Sequence, residues 1–254
     1  MQETSQRWRL SKGCWECLQS LQQVGYVVCF VYFWTHNLKH LQGKLRELAP
    51  NIKDDTLKLC NPDGDELTFS MSSEALNHYR PVIQELVYFA SAVRMICVYE
   101  GYIRQMVLTS YKHMPDVMAS FEAKHRLGDR RGRLDTNIFW GKKLGRGIDF
   151  LSEIFSWQPN PMYRPALCFL FELRNNTVHK RGIVDDKLRQ LASDDNIELV
   201  GELKVGERFQ WNSQTTFQLE KLLIRVLTEA DRHVASRLPL EIIEDRAFWS
   251  SHTL

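Results

Sequence analysis

From Val82 to Lys112 the chain reads VIQELVYFASAVRMICVYEGYIRQMVLTSYK, a long run of apolar residues at helical spacing with no proline inside it. Ser72 or Ser73 can cap the segment, Pro81 suits its first turn, and Met114 and Pro115 end it. A helix that is apolar over so much of its surface has to be covered by other helices. The fold that follows is mainly α, a bundle of long helices.

Other segments support that reading. Gln214 to Arg237 is amphipathic, with Phe217, Leu219, Leu222, Leu223, Val226 and Leu227 mostly on one side. Ile148 to Trp157 has helical spacing, and after Pro159, Pro161 and Pro165 a helix runs from about Arg164 to Lys180, with a short turn expected at Asp185 to Leu191. Near the N-terminus, Trp15, Leu18, Leu21, Val28, Tyr32, Leu38, Leu41, Leu45 and Leu48 predict one long helix over the first fifty residues, with a break possible at Gly25. Its stretch Tyr26–Trp34 (YVVCFVYFW) suits a buried helix or a dimer interface, with a buried strand as the alternative. That stretch is shorter than the roughly 20 apolar residues needed to cross a bilayer, so no membrane anchor is expected.

Two β-hairpins are expected as additions to the helical body. In TLKLCNPDGDELTFS, Asn61, Pro62, Asp63 and Gly64 are turn residues between alternating runs. Ile197–Val200 and Arg208–Trp211 flank KVGE and read as the second. From Pro239 the chain reads as a tail. Neither repeats nor low-complexity linkers divide the 254 residues, so one domain is the economical reading, with residues 1–50 as an N-terminal helical extension and residues 72–238 as the bundle core.

The six cysteines follow no secretory signal, which points to a reducing cytoplasm. Cys14 and Cys17 form a CxxC with no second pair at zinc-finger spacing, so they read as helix positions rather than a metal or redox site. No phosphate-binding loop GxxxxGK[ST] occurs. Total charge is only +2, but residues 124 to 146 hold eight basic residues (Lys124, Arg126, Arg130, Arg131, Arg133, Lys142, Lys143 and Arg146) against Asp129 and Asp135. That is a local +6, which leaves −4 for the rest. Concentrated positive charge favours phosphate binding through counterion release, and Phe139 and Trp140 within it can stack bases. A solvated glycine-rich loop is the plainer alternative.

The most chemically capable side chains gather at the end of the helix approaching Lys180, in FLFELRNNTVHKRGIVD (Phe169–Asp185). Asn175 and His179 are four residues apart and share a helical face, so the amide can hold one ring nitrogen. Arg174 and His179 are five apart, about 140° around a regular helix, and cannot both aim at one small ligand unless the last turn deforms or another chain completes the site. His179, Lys180, Arg181 and then Gly182 also make an ordinary helix C-terminus, with cations near the negative end of the dipole and a glycine cap.

This stretch resembles the HEPN superfamily. Arg174, Asn175 and His179 match its Arg, polar residue, then His order, and RNNTVHKRGIVD resembles the RNxxxHxxGxxD wording of its stand-alone bacterial members, with motif residues 174–182 and then Asp185. The resemblance implies a dimeric helical bundle and metal-independent RNA cleavage without a cofactor, often in a toxin or phage-defence effector. Arg174, Asn175 and His179 are then the catalytic residues. Tyr99, Glu100 and Tyr102 resemble the family's first core helix, which makes Glu100 and Tyr102 candidate supports; Glu100 also reads as a core-edge carboxylate. An inhibitor or activator would be a separate chain. Because the family includes inactive members, the alternative is a silent module that binds RNA, a nucleotide or a protein. A purely structural helical dimer stands as a third reading.

Overall fold

The computed structural model describes residues 9–48, 56–60, 66–70, 73–125, 145–194 and 203–244. Among them the helices are α1 (Lys12–Leu48), α2 (Ser73–His113), α3 (Pro115–Lys124), α4 (Gly145–Phe155), α5 (Tyr163–Lys180), α6 (Asp186–Asp194) and α7 (Ser213–Ala235). The strands are β1 (Arg9–Ser11), β2 (Thr56–Cys60), β3 (Glu66–Ser70) and β4 (Ile242–Glu244). The protein is thus mainly α with small β additions, as the helical spacing of its apolar residues requires.

Two long helices form the frame. α1 has 37 residues and α2 has 41, roughly 55 and 60 Å at 1.5 Å per residue. They are joined through the β2–β3 hairpin, whose register pairs Thr56 with Ser70 and Cys60 with Glu66. Its expected turn residues Asn61–Gly64 lie outside the described residues. α1 is helical through Tyr26–Trp34 rather than a strand, and it does not break at Gly25. That glycine instead admits α7: a Cβ there would stand 2.4 Å from Glu220 Oε1. α2 begins at Ser73, so Pro81 lies inside the helix and not in its first turn.

α7 is the central packing element, against α1, α2, α4 and α5. Its buried face carries Leu219, Leu223, Val226, Leu227 and Ala230, and α2 presents Met95, Ile96, Tyr99, Ile103 and Met106 to the same core. Each fully buried side chain of this size contributes about 1.5–3 kcal/mol from lost contact with water. By length and composition α2 could cross a bilayer, but its apolar face is part of this core. α4 approaches α2 closely at Gly147, where a Cβ would meet the Tyr99 hydroxyl at 2.8 Å. Cys14 and Cys17 sit on α1 facing the bundle, their thiols directed at Leu227 O and Val98 O; burial pushes both thiols up, Cys17 to about 11.

The two ends of the described chain meet, which the sequence reading misses. Residues 242–244 are not tail but strand β4, antiparallel to β1 with Leu10 opposite Ile243. Beneath this pair lies Asp231 of α7, fully buried. Its Oδ2 accepts from the Ser11 amide at 2.6 Å, and its Oδ1 accepts from Ser11 Oγ at 2.5 Å and from the Tyr102 hydroxyl at 2.8 Å. Burial raises the Asp231 carboxyl, and these three donors pull it back.

Candidate functional site

α5 carries the motif. Its inward face buries Leu167, Leu170 and Leu173, and the helix stays regular to Lys180. Arg181 then turns left-handed (φ 56°, ψ 26°), its amide donating to Asn176 O, and Gly182 follows with φ 78°. The left-handed cap expected of Gly182 therefore falls first on Arg181, a residue with a Cβ. Gly182 has a second reason to be glycine. A strap of residues 203–212 passes over it, so a Cβ there would stand 3.2 Å from Phe209 O and 3.5 Å from Arg208 Cγ.

Of the second expected hairpin, Ile197–Val200 lie outside the described residues; Arg208, in its other expected strand, bridges to Ile183 at the motif's end. The Phe209 amide donates to Gly182 O, the Val184 amide to Glu207 O and the Gly206 amide to Val184 O, each at 2.9 Å. Trp211 is buried and donates from Nε1 to Thr177 Oγ1 at 3.0 Å. The end of α5 is thus fixed from outside by a segment about thirty residues downstream.

Arg174 is half-buried. Its Nη2 stands 3.6 Å from Glu100 Oε1 on α2, and its guanidinium carbon lies 4.6 Å from the centre of the Phe171 ring. Its Nε is buried without a hydrogen bond among the described residues. Burial pushes the Glu100 carboxyl up, against the lowering pull of Arg174. Glu100 is therefore at the motif, but Tyr102 is not: it is a core residue bonded to Asp231. The difference follows from two helical residues being about 200° apart.

His179 is exposed on the last turn of α5. The bond from Asn175 expected from their four-residue spacing is not among the hydrogen bonds of the described residues; Asn175 is half-buried. Its neighbour Asn176 is the buried one, 6% exposed, with Oδ1 unpartnered among the described residues. Within one chain, Arg174 turns towards α2 while His179 faces outward, as 140° of separation on an undistorted helix dictates. Lys180 bonds Asp185, whose carboxyl is held below the usual range mainly by that lysine and by the Leu188 amide.

Of the basic stretch, only its edges are described. Lys124 pairs with Glu153 at 2.7 Å, and Arg146 lies in the first turn of α4. Arg126, Arg130, Arg131, Arg133, Lys142 and Lys143 lie outside the described residues. A surface cavity of about 390 Å³ lined by Trp157, Glu229, Arg232 and His233 sits at the opposite end of α5, beside Tyr163, and does not include the motif.

Sequence reasoning overlooked Phe171 and the strap. The aromatic ring three residues before Arg174 is a helical neighbour and could have been found from spacing. Trp211 could not, nor could Arg208 with its ion-pair partner Glu85 of α2, because only tertiary packing brings them here. Comparison with protein-family models, curated proteins and solved structures finds no match for the chain.

Proposed function

We propose that this protein is a metal-independent endoribonuclease of HEPN type, acting as a toxin or phage-defence effector, with a composite site formed by two copies of the α5 end. The observation that carries the reading is the divergence of Arg174 and His179 on a regular helix, each in a setting suited to one task. Arg174 is partly desolvated, held by Glu100 and Phe171, and carries a guanidinium fork suited to phosphate oxygens. His179 is exposed at the helix end, where an imidazole can take the 2′-hydroxyl proton or return one to the leaving 5′-oxygen. Two such histidines, one from each copy, supply separate base and acid. The attack joins the 2′-oxygen to phosphorus and expels the 5′-oxygen, leaving a 2′,3′-cyclic phosphate and a 5′-hydroxyl. Guanidinium groups stabilise the charge that builds on the phosphorane.

The test is incubation of the purified protein with mixed cellular RNA in EDTA, with fragment ends analysed for cyclic phosphate. Wild type is expected to cleave, and His179→Ala to lose roughly a hundredfold or more in rate. Full activity of His179→Asn would sink the assignment.

The second reading is a catalytically inactive module that binds RNA, a nucleotide or a protein. It is favoured by the Arg174–Glu100 ion pair, which already gives the guanidinium an anion within its own chain. That reading expects salt-sensitive RNA retention, no product, and no effect of His179→Ala.

A further inference from the structure

We propose that Arg208, on the strap over Gly182, is an additional phosphate-binding cation of the motif face, and that Glu85 of α2 competes with RNA for it. The inference rests on the RNA reading above and identifies a contact that the motif itself does not contain.

Three cations at this end of the molecule each have a carboxylate of their own. Arg174 faces Glu100, Lys180 faces Asp185, and Arg208 Nη2 donates to Glu85 Oε1 at 2.8 Å. The three pairs differ in what else they do. Asp185 also accepts the Leu188 amide at the start of α6, so its pairing is tied to a helix end. Arg174 has a side chain only 24% exposed. Arg208 has a side chain 57% exposed, while its partner Glu85 is 17% exposed.

The Arg208–Glu85 pair is also not needed to hold the strap. Three backbone hydrogen bonds to Gly182 and Val184 do that, together with Trp211, which packs edge-on to Phe209 at 5.5 Å and against Phe89 at 5.9 Å. The backbone at Arg208 is thereby fixed by its bridge to Ile183, and its Cγ and Nε lie 3.5 and 3.9 Å from where a Gly182 Cβ would be. The stem of the arginine is seated beside Gly182, and its side chain remains 57% exposed.

The guanidinium is exposed enough to change partners, and the exchange leaves the largely buried Glu85 carboxylate without its cation, a cost that the incoming phosphates have to offset. A phosphate diester offers a guanidinium bidentate acceptance, and on RNA it adds counterion release, which an isolated carboxylate cannot supply. Glu85 thus keeps Arg208 neutralised until a polyanion reaches the motif.

The experiment uses the full chain carrying His179→Ala, so that RNA survives, and follows fluorescence anisotropy of a labelled single-stranded RNA across a KCl series. Each phosphate contact to a single strand contributes about 0.7 to the slope of log K against log salt. Adding Arg208→Gln is expected to reduce that slope by about 0.7 and to weaken binding about fivefold at 0.1 M salt. Adding Glu85→Gln is expected to tighten binding. Salt-dependent binding by the parent with slope and affinity unmoved by Arg208→Gln overturns this inference alone. Weaker binding at an unchanged slope with a lowered Tm makes Arg208 a structural anchor and overturns it as well. Absence of RNA binding by the parent overturns both this and the RNA reading.

Discussion

Two residues of α2, Glu100 and Tyr102, lead to opposite kinds of polar site. Tyr102 reaches the Asp231 cluster, where Ser11 and the tyrosine supply three donors to one buried carboxylate. Glu100 reaches Arg174, where a single ion pair at 3.6 Å leaves the arginine Nε buried and unpaired among the described residues. Desolvated polar groups cost stability unless they are bonded. The first cluster meets that demand within the chain and ties β1, α2 and α7 together. The second leaves it unmet among the described residues, so the two sites differ in how completely the chain satisfies its own buried polar groups.

The largest effect expected of this contrast is at Asp231. Asp231→Ala would strand the Ser11 amide, the Ser11 hydroxyl and the Tyr102 hydroxyl in the core, a loss of about 3–5 kcal/mol in denaturant unfolding. An unfolding midpoint close to that of wild type would show that the cluster is not structural, and the contrast with the motif would collapse.

Glu220 is an intermediate case, and pH sharpens it. Burial beside Gly25 pushes its carboxyl up to about 7, only partly offset by Lys221. A carboxyl raised in the folded state favours its protonated form there. The penalty is therefore absent below the ordinary value of 4.5, grows as pH rises through about 7, and is full above that. Glu220→Gln is expected to melt with wild type at pH 4 and to be more stable at pH 8 by about 1–2 kcal/mol, allowing for partial solvent exposure. Parallel Tm curves across that range would place Glu220 among the solvated surface groups.

The helices were legible because their apolar spacing and caps are local information: α2, α5 and α7 lie within a residue or two of where the Ser72 or Ser73 cap and the periodicity put them, save that α2 runs through Pro81. The β2–β3 hairpin was legible from its turn residues. The β1–β4 pair was not, because Leu10 and Ile243 sit at opposite ends of the sequence and neither strand is long enough to show an alternating pattern. At the motif, the residues could be named but their partners could not. Glu100 and Tyr102 looked alike in a tyrosine-rich helix until the 200° between them sent one to Arg174 and the other to Asp231. The strap's bridge from Arg208 to Ile183 was not legible, because it joins residues twenty-five apart in the sequence that only the end of α5 brings together.

A smaller effect is expected at Arg181, whose left-handed conformation (φ 56°) costs a residue with a Cβ roughly 1–2 kcal/mol. Glycine removes that strain but loses more chain entropy on folding and gives up a cation near the helix C-terminus. Arg181→Gly should therefore gain only about 0.5 kcal/mol in denaturant unfolding. A clear loss instead would mean that the arginine side chain is held by something that outweighs its backbone strain.

The smallest stability effect is expected at His179, and its smallness carries meaning. The ring is exposed and makes no hydrogen bond among the described residues, so its removal uncovers no buried donor and opens no cavity. What it can contribute to the fold is a charge near the C-terminal end of the α5 dipole, which solvent screens. His179→Ala should therefore shift unfolding by less than about 0.5 kcal/mol, the range of ordinary surface changes. If it unfolds the protein as Asp231→Ala does, the histidine belongs to the scaffold, and the motif is a helix cap. If stability holds while RNA cleavage is lost, the helix end has kept a reactive side chain at a position where the fold has no use for it.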